Sequence, residues 1–437
     1  MTTTKADTKN RVYSHTDYDD SYKIITKNIL SLVGIRIAQK DSSFARLCWN
    51  ILYWAEFANL FIALVLDGYT ACDVIRSSAL KEENIVFMML PCMGYLVIAL
   101  LKSYKTVYQR GIYENLVSEL RSMWPQGSVT EEEHIIIDKA LKELNIVVKG
   151  YYWCNLGLCF SVIGPPYVDL VRRAFGEHVP RTLPYFYWVP YDEFQPVAYE
   201  LTLALHAWQT MLTLWFMQAG DLLFCAFLSH ITTQFDLLCL RIQRLFHVPV
   251  DQQLIAEYPL GKQSKKPSDN ETFSPLNESE TRSKQEKELK KIIVRHNDLI
   301  RLSNDVENLF SFALLINFFN SSIVICFCGF CCVMVEKWNV FMYKTFLATS
   351  LSQTWLLCWH GQKLLESSAR VADALYNSGW YIASNPIRKS ILIMIHRSQK
   401  NVCVTTYGFS VISLSSYTTI IKTAWSYFTL LLNTYNQ

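Results

Sequence analysis

Seven apolar stretches, each close to the length of a bilayer-crossing helix, govern what this chain can fold into. They cover residues 47–66, 85–101, 150–168, 201–227, 311–335, 345–362 and 405–432. A spanning helix takes ~20 mostly apolar residues, because lipid offers no partner to an unpaired backbone group. The fifth stretch carries no charge at all, whereas Glu56, Asp221 and Lys422 fall inside the first, fourth and last. A charge at that depth is costly and is expected to face protein or water. Pro91 sits inside the second stretch and is expected to kink its helix. Composition agrees. The chain is 18% charged, against roughly 25% for a soluble domain. The net charge of +3 supplies no field for holding a polyanion. An all-α membrane protein with seven transmembrane helices is expected, and a soluble enzyme, a disordered chain and a nucleic-acid binder are disfavoured.

Lysine and arginine set the orientation, because they gather on the cytoplasmic side. The N-terminal segment and the connections after spans two, four and six hold 32 of the 41, the opposite side only 7. The long connection after span four counts for less under this rule, yet without its 12 the split is still 20 against 7. The N-terminus is therefore expected inside and the C-terminus outside. That is inverted relative to a G-protein-coupled receptor. Residues 169–200 also lack the cysteine of such a receptor's extracellular disulfide, no Asp-Arg-Tyr ends the third span, and Asn385-Pro386 does not continue into an NPxxY pattern.

Outside the spans, residues 22–33 place Ile24, Ile25, Ile29, Leu30 and Val33 near one helical face. That pattern suits an interfacial helix or a helix packed on the cytoplasmic loops. Residues 261–285 are rich in Ser, Asn, Lys, Glu and Pro and are expected to be disordered. From 284 to 310, Leu289, Ile292, Ile293, Leu299, Ile300, Val306, Leu309 and Phe310 recur at helical spacing and lead into the fifth span. The connection holding RTLPYFYWVPYDEFQP reads as an ordered lid over the outer face. Cys326, Cys328, Cys331 and Cys332 crowd one apolar run without histidine or carboxylate neighbours, so they read as small hydrophobes rather than metal ligands. The first 46 residues contain no apolar core of a cleavable signal peptide, so the first span is expected to direct insertion.

No HExxH, GxSxG, Walker A or GxGxxG pattern occurs, and the nine histidines are scattered. His206 and His360, in or near spans, read as hydrogen-bonded bundle residues. No inverted repeat or matched pair of broken spans points to a transporter. Neither an enzymatic function nor a cofactor nor a bound metal is expected.

Three stretches of the C-terminal third carry a family resemblance. ADALYNSGWY from Ala372, RKSILIMIHRSQK from Arg388 and IIKTAWSYFTLL from Ile420 occur in that order. They closely resemble the insect odorant receptors, and among them the variable, odorant-tuned subunits. The related gustatory receptors end in a TYxxxxxQF-type motif; Thr406-Tyr407 is present here, but no Gln-Phe follows at that spacing. The universal co-receptor has a longer fourth-to-fifth connection and a terminus unlike LLLNTYNQ.

The resemblance implies a subunit of an odorant-gated, non-selective cation channel. It would assemble with co-receptor subunits into a tetramer, bind a small volatile odorant or pheromone, contact membrane lipid and bind no nucleic acid. It further implies a plasma-membrane location in the dendrite of an olfactory sensory neuron. Residues 1–46 then form a cytoplasmic N-terminus and 47–260 a ligand-binding bundle of helices one to four. The disordered loop at 261–285 is followed by helices five and six with cytoplasmic anchor helices at 286–400. The pore helix and an extracellular C-terminus occupy 401–437. Alignment with the family's last helix puts Leu430 at the hydrophobic gate and Asn433 at the polar position beyond it. An apolar ring stops ions by dewetting, and an amide ring replaces part of a hydration shell. The family's ligand site lies in the outer half of the bundle, between helices two, three, four and six. The second helix would offer Met88, Met89, Cys92 and Met93, and the third Cys154, Gly157, Leu158 and Ser161. His206, Gln209 and Leu212 follow on the fourth, and Tyr343, Phe346, Leu347 and Ser350 on the sixth. Adaptable apolar walls with a few isolated polar groups suit a small volatile. A G-protein-coupled chemoreceptor and a small-molecule transporter are the alternative functions.

Asn270-Glu-Thr and Asn277-Glu-Ser are glycosylation sequons that this orientation leaves in the cytosol. Endoglycosidase treatment is therefore expected to leave gel mobility unchanged at these sites. A shift that disappears in the Asn270→Gln, Asn277→Gln double variant would invert the orientation.

Overall fold

The computed structural model describes residues 12–23, 25, 29–36, 42–77, 83–185, 187–246, 275–334 and 339–435. The elements in order are β1 (Val12–Tyr13), α1 (His15–Lys23), α2 (Ser43–Ser77), α3 (Glu83–Tyr108), α4 (Arg110–Met123) and β2 (Gly127–Ser128). They continue with α5 (Glu131–Ala174), α6 (Pro196–Gln243), α7 (Pro275–Met334), α8 (Asn339–Tyr376), a 3-10 turn (Trp380–Ile382), α9 (Asn385–Ser398) and α10 (Leu414–Tyr435). The fold is an all-α bundle, and each of the seven expected spans falls on one of α2, α3, α5, α6, α7, α8 and α10. Among the described residues, Ser43–Arg76, Glu131–Ala174, Pro196–Gln243 and Arg282–Val333 are long and apolar enough to cross a membrane by length and composition alone.

Local sequence explains the helix ends. Thr130 caps α5 through a reciprocal box with Glu133, whose carboxylate accepts from the Thr130 backbone N–H at 3.0 Å. Glu131, Glu132 and Glu133 then place negative charge at the positive end of the helix dipole. Proline opens α6 and lies in the first turn of α9, where a missing N–H costs nothing. Pro91 lies within α3 without ending it.

Two boundaries differ from expectation. The last helix begins at Leu414 rather than 405, because residues 405–413 turn back on themselves. Thr405 and Val411 bridge antiparallel, with Tyr407 and Gly408 at φ 52 and 81 in the left-handed region. This turn presses on α8 at Gly361, where an added Cβ would overlap the Ile412 carbonyl, so only glycine fits. The fifth span continues a helix starting at Pro275, so part of the stretch expected to be disordered is helical. Pro275 at the start, followed by Glu278 and Glu280, suits a helix N-terminus. Residues 261–274, including Asn270, lie outside the described residues, as does Ile24.

Central helix α6 is apolar on all sides, and 83% of its apolar window is buried. The N-terminal segment packs against the C-terminal half of this helix. Ile25, Ile29, Leu30 and Val33 are buried among protein side chains. Tyr18 and Tyr22 set their rings 4.7 and 5.1 Å from His230, while Ser21 hydrogen-bonds its Nε2 at 2.9 Å. Amphipathic α9 buries Ile387, Ile391 and Met394 and leaves Leu392 and Ile393 exposed. Cys326, Cys328 and Cys331 are buried apolar packing residues on α7.

At the heart of the bundle, Asp221 of α6 gathers three donors. Lys102 Nζ of α3 lies 2.5 Å from its Oδ1. The Tyr151 hydroxyl of α5 and Gln353 Nε2 of α8 donate to Oδ2 at 2.9 and 2.7 Å. Asn317 of α7 joins by accepting from Lys102 at 3.3 Å and from Gln353 at 3.2 Å. Asp221 thus faces protein, and its cation comes from Lys102, just beyond the expected second span. Glu56 also finds a protein partner, accepting from Trp208 Nε1 at 3.0 Å.

Removing one member of a buried ion pair strands the other and costs about 3–5 kcal/mol. Asp221→Ala or Lys102→Ala should therefore sharply lower the melting temperature in detergent. The double variant Lys102→Met, Asp221→Leu should recover much of the loss, since two apolar residues leave no buried charge unpaired. Equal melting of the single variants and the parent would show that the pair is not structural.

Candidate functional site

A cavity opens between α2, α3, α5, α6 and α8, closed by the α5–α6 connection. About 520 Å³ inside it is free of atoms, part of it open to solvent. Ala63 and Asp67 come from α2, Cys92, Tyr95 and Leu96 from α3, and Leu158 and Val162 from α5. Helix α6 adds Gln209, Thr210, Thr213 and Leu214, and α8 adds Phe346.

Tyr185 and Tyr187 of the connection complete the wall. The expected lid therefore reaches into the bundle and is part of the site. Pro184 and Pro190 restrict the chain on either side, and side-chain bonds tie it to the helices. Tyr185 and Thr210 pair their hydroxyls at 2.7 Å. Tyr187 donates to Gln209 Oε1 at 2.9 Å, and Gln209 Nε2 donates to Asn59 Oδ1 at 3.0 Å. The Trp188 backbone N–H reaches Thr70 Oγ1 on α2 at 2.9 Å, and Tyr191 pairs with Thr202 at 2.8 Å. Burial raises both Tyr185 and Tyr187 phenols well above the ordinary tyrosine value, outweighing the opposing hydrogen bonds to α6. Both remain protonated donors.

Of the residues singled out in the sequence, Cys92, Leu158, Gln209 and Phe346 line this cavity together. His206 stands behind its wall, with the rings of Tyr185 and Tyr187 at 5.3 and 4.9 Å. Neither of its nitrogens has a hydrogen-bond partner among the described residues, so the bonded histidine expected from the sequence is not what the structure places there. His360 does find one, at 2.9 Å from the Leu356 carbonyl.

The other predicted residues lie elsewhere. Met89, Leu212, Tyr343 and Ser350 are buried in helix contacts, and Ser161 bonds Thr345 at 2.6 Å. Met93 and Leu347 are half-buried, outside the cavity wall. Gly157 faces outward with nothing within 4 Å of an added Cβ. Cys154 lies on a separate groove between α5 and α8, its sulfur 3.7 Å from Thr349 Oγ1. The side chain of Met88 falls outside the described residues. Leu430 and Asn433 are exposed on α10.

Sequence reading missed the contributions of α2 and of the connection. Asp67 follows directly on the apolar stretch ending at 66 and so reads as a loop acid. Tyr185 and Tyr187 carry a usable signal, since two tyrosines two apart in a proline-bounded segment face one side when extended.

An all-helical membrane protein with a cavity between its helices is the class these features define. A family model described as 7tm Odorant receptor matches residues 84–425, and the chain belongs to this odorant receptor family. It is 24% identical to Odorant receptor 85b of Drosophila melanogaster, over 93% of this chain and 96% of the relative. With Odorant receptor 67c of the same fly it shares 26% identity over 90% of each chain. Its fold matches the insect olfactory receptor OR5 of Machilis hrabei, solved in complex with eugenol. The TM-score is 0.76 at 15% identity, covering 96% of this chain and 100% of the other.

Tyr187→Phe leaves Gln209 Oε1 without its donor in a buried wall, a loss of about 1–3 kcal/mol. A lower melting temperature than the parent is the expected result, and an unchanged one would show that the connection is not held by this bond.

Proposed function

We propose that this chain is the odorant-tuned subunit of a ligand-gated, non-selective cation channel. It works with odorant co-receptor subunits, as a heterotetramer, in the plasma membrane of olfactory sensory neurons. Its N-terminus lies in the cytoplasm. The observation that carries this reading is the unpartnered surface of α10. Trp425, Tyr427 and Leu430 are all more than half exposed, although they belong to the last helix of a membrane bundle. The same helix is rich in hydroxyls, with Thr418, Thr419, Thr423 and Ser426 exposed. Such a surface suits a helix that meets other subunits and water around a shared axis. Exposed Leu392 and Ile393 on α9 supply a second apolar contact outside the spans.

Gating follows from differential affinity. A small volatile that binds the cavity better in the open state shifts the population toward it. Helix α8 contributes Phe346 to the cavity and also packs on α10, so it links the two sites. Leu430 then forms the apolar gate and Asn433 the polar ring beyond it. No enzymatic step and no G protein is needed.

Whole-cell current during an odorant panel tests the proposal, with this chain, the co-receptor or both expressed and G-protein signalling blocked. Rapid cation current only in the co-expressing cells is expected, and Leu430→Ala should alter its gating or block. Current abolished by the G-protein block would favour the chemoreceptor alternative. Uptake of ligand without channel-sized current would favour a transporter. Unchanged currents across several Leu430 and Asn433 substitutions would remove these residues from the pore.

A further inference from the structure

Among the described residues, one carboxylic acid and no basic side chain line the cavity. Asp67 is only 6% exposed, it lines the cavity, and it makes no hydrogen bond or ion pair among the described residues. The contrast with Asp221 is direct, since that buried carboxylate is held by a lysine, a tyrosine and a glutamine. A buried carboxylate without a partner is strongly unfavourable, and a cation brought beside it relieves the cost.

The surrounding wall suits such a cation. Tyr95, Tyr185, Tyr187 and Phe346 line the same space, and aromatic faces attract positive charge. Tyr187 also borders an outer groove that holds Asp73, Asp192 and Glu193 together with Tyr69 and Trp188. Among the described residues, no lysine or arginine lines either the cavity or this groove. Arg173 stacks over Tyr199 at 4.5 Å, and His206 stands behind the tyrosines rather than in the wall. A groove lined by three carboxylates favours cations on the approach to the cavity.

We propose that the ligand class of this cavity is a small protonated amine with an apolar body, its ammonium held by Asp67 and the aromatic faces. The inference deepens the channel reading and rests on the cavity being the odorant site. Leu96, Leu158, Val162 and Leu214 provide the apolar wall for the rest of the molecule.

The matched pair 2-phenylethylamine and 2-phenylethanol tests it, because the two differ only in the group that would meet Asp67. Thermal unfolding of the purified full-length chain is measured with each, as a ligand that binds only the folded state raises the melting temperature. The amine should stabilise the parent at concentrations about tenfold or more below those the alcohol needs, the scale of one charge-assisted contact. Asp67→Asn should erase that advantage, and Asp67→Glu should keep part of it. The comparison on the unaltered chain needs no variant, so it holds even if Asp67→Asn fails to fold. Equal stabilisation by the two compounds, or an amine advantage that survives Asp67→Asn, would overturn the proposal. Currents from the same pair separate the two readings. Amine-selective stabilisation with no current in co-expressing cells would overturn the channel and keep the amine site. Current evoked as well by the alcohol as by the amine would overturn the amine site and keep the channel.

Discussion

The Lys102–Asp221 pair is the contact on which the bundle's arrangement depends. Asp221 lies on the helix with the most buried surface, and its partners reach it from α3, α5 and α8, with Asn317 of α7 closing the ring. Apolar packing between membrane helices is tolerant of sliding, because lipid is as apolar as the side chains. A charged pair with ranked donors is not tolerant. A slip of one turn in any of the five helices moves a donor by about 5 Å and strands a buried charge. The network therefore specifies register where hydrophobicity alone does not.

That register determines the cavity. Tyr151, which bonds Asp221, and Leu158, which lines the cavity, lie two turns apart on α5. On α8 the same relation connects Gln353 with Phe346, and on α3 Lys102 lies beyond Tyr95 on the same helix. The polar knot and the ligand space are thus consecutive layers of one set of helices. The α5–α6 connection closes the outer layer, held by Tyr185, Tyr187 and Tyr191 through side-chain bonds to α6. A rigid floor with a hydrogen-bonded cover is an arrangement in which the cover can respond to what lies beneath it.

Much of this was readable from residue order. Seven apolar runs became helices, and the amphipathic pattern from 284 to 310 became the N-terminal part of a continuous helix with the fifth span. The three family stretches lie on α8 and its end, on α9 and on α10. The site was legible only in part. Cys92, Leu158, Gln209 and Phe346 could be found because helix and depth were enough to place them. Gly157 and Ser161 share that depth but point to other surfaces, since rotation about the helix axis is invisible in a run that is apolar on all sides. Asp67 looked like an ordinary acid at the end of a span, because nothing nearby in sequence announces that a distant tyrosine pair will enclose it.

By itself the sequence determined that the chain is a bundle of membrane helices, which segments form them, and the family to which it belongs. Hydrophobic length and short matching stretches are local properties, so no folded context is needed to read them. Tertiary structure decided the rest. It paired Lys102 with Asp221 across 119 positions and left Asp67, inside an aromatic cavity, without a hydrogen-bond or ion-pair partner among the described residues. Both acids are the same residue type in apolar surroundings, and they differ in what the neighbouring helices and one connection bring to them. Long-range packing sets that environment, and it cannot be read one segment at a time.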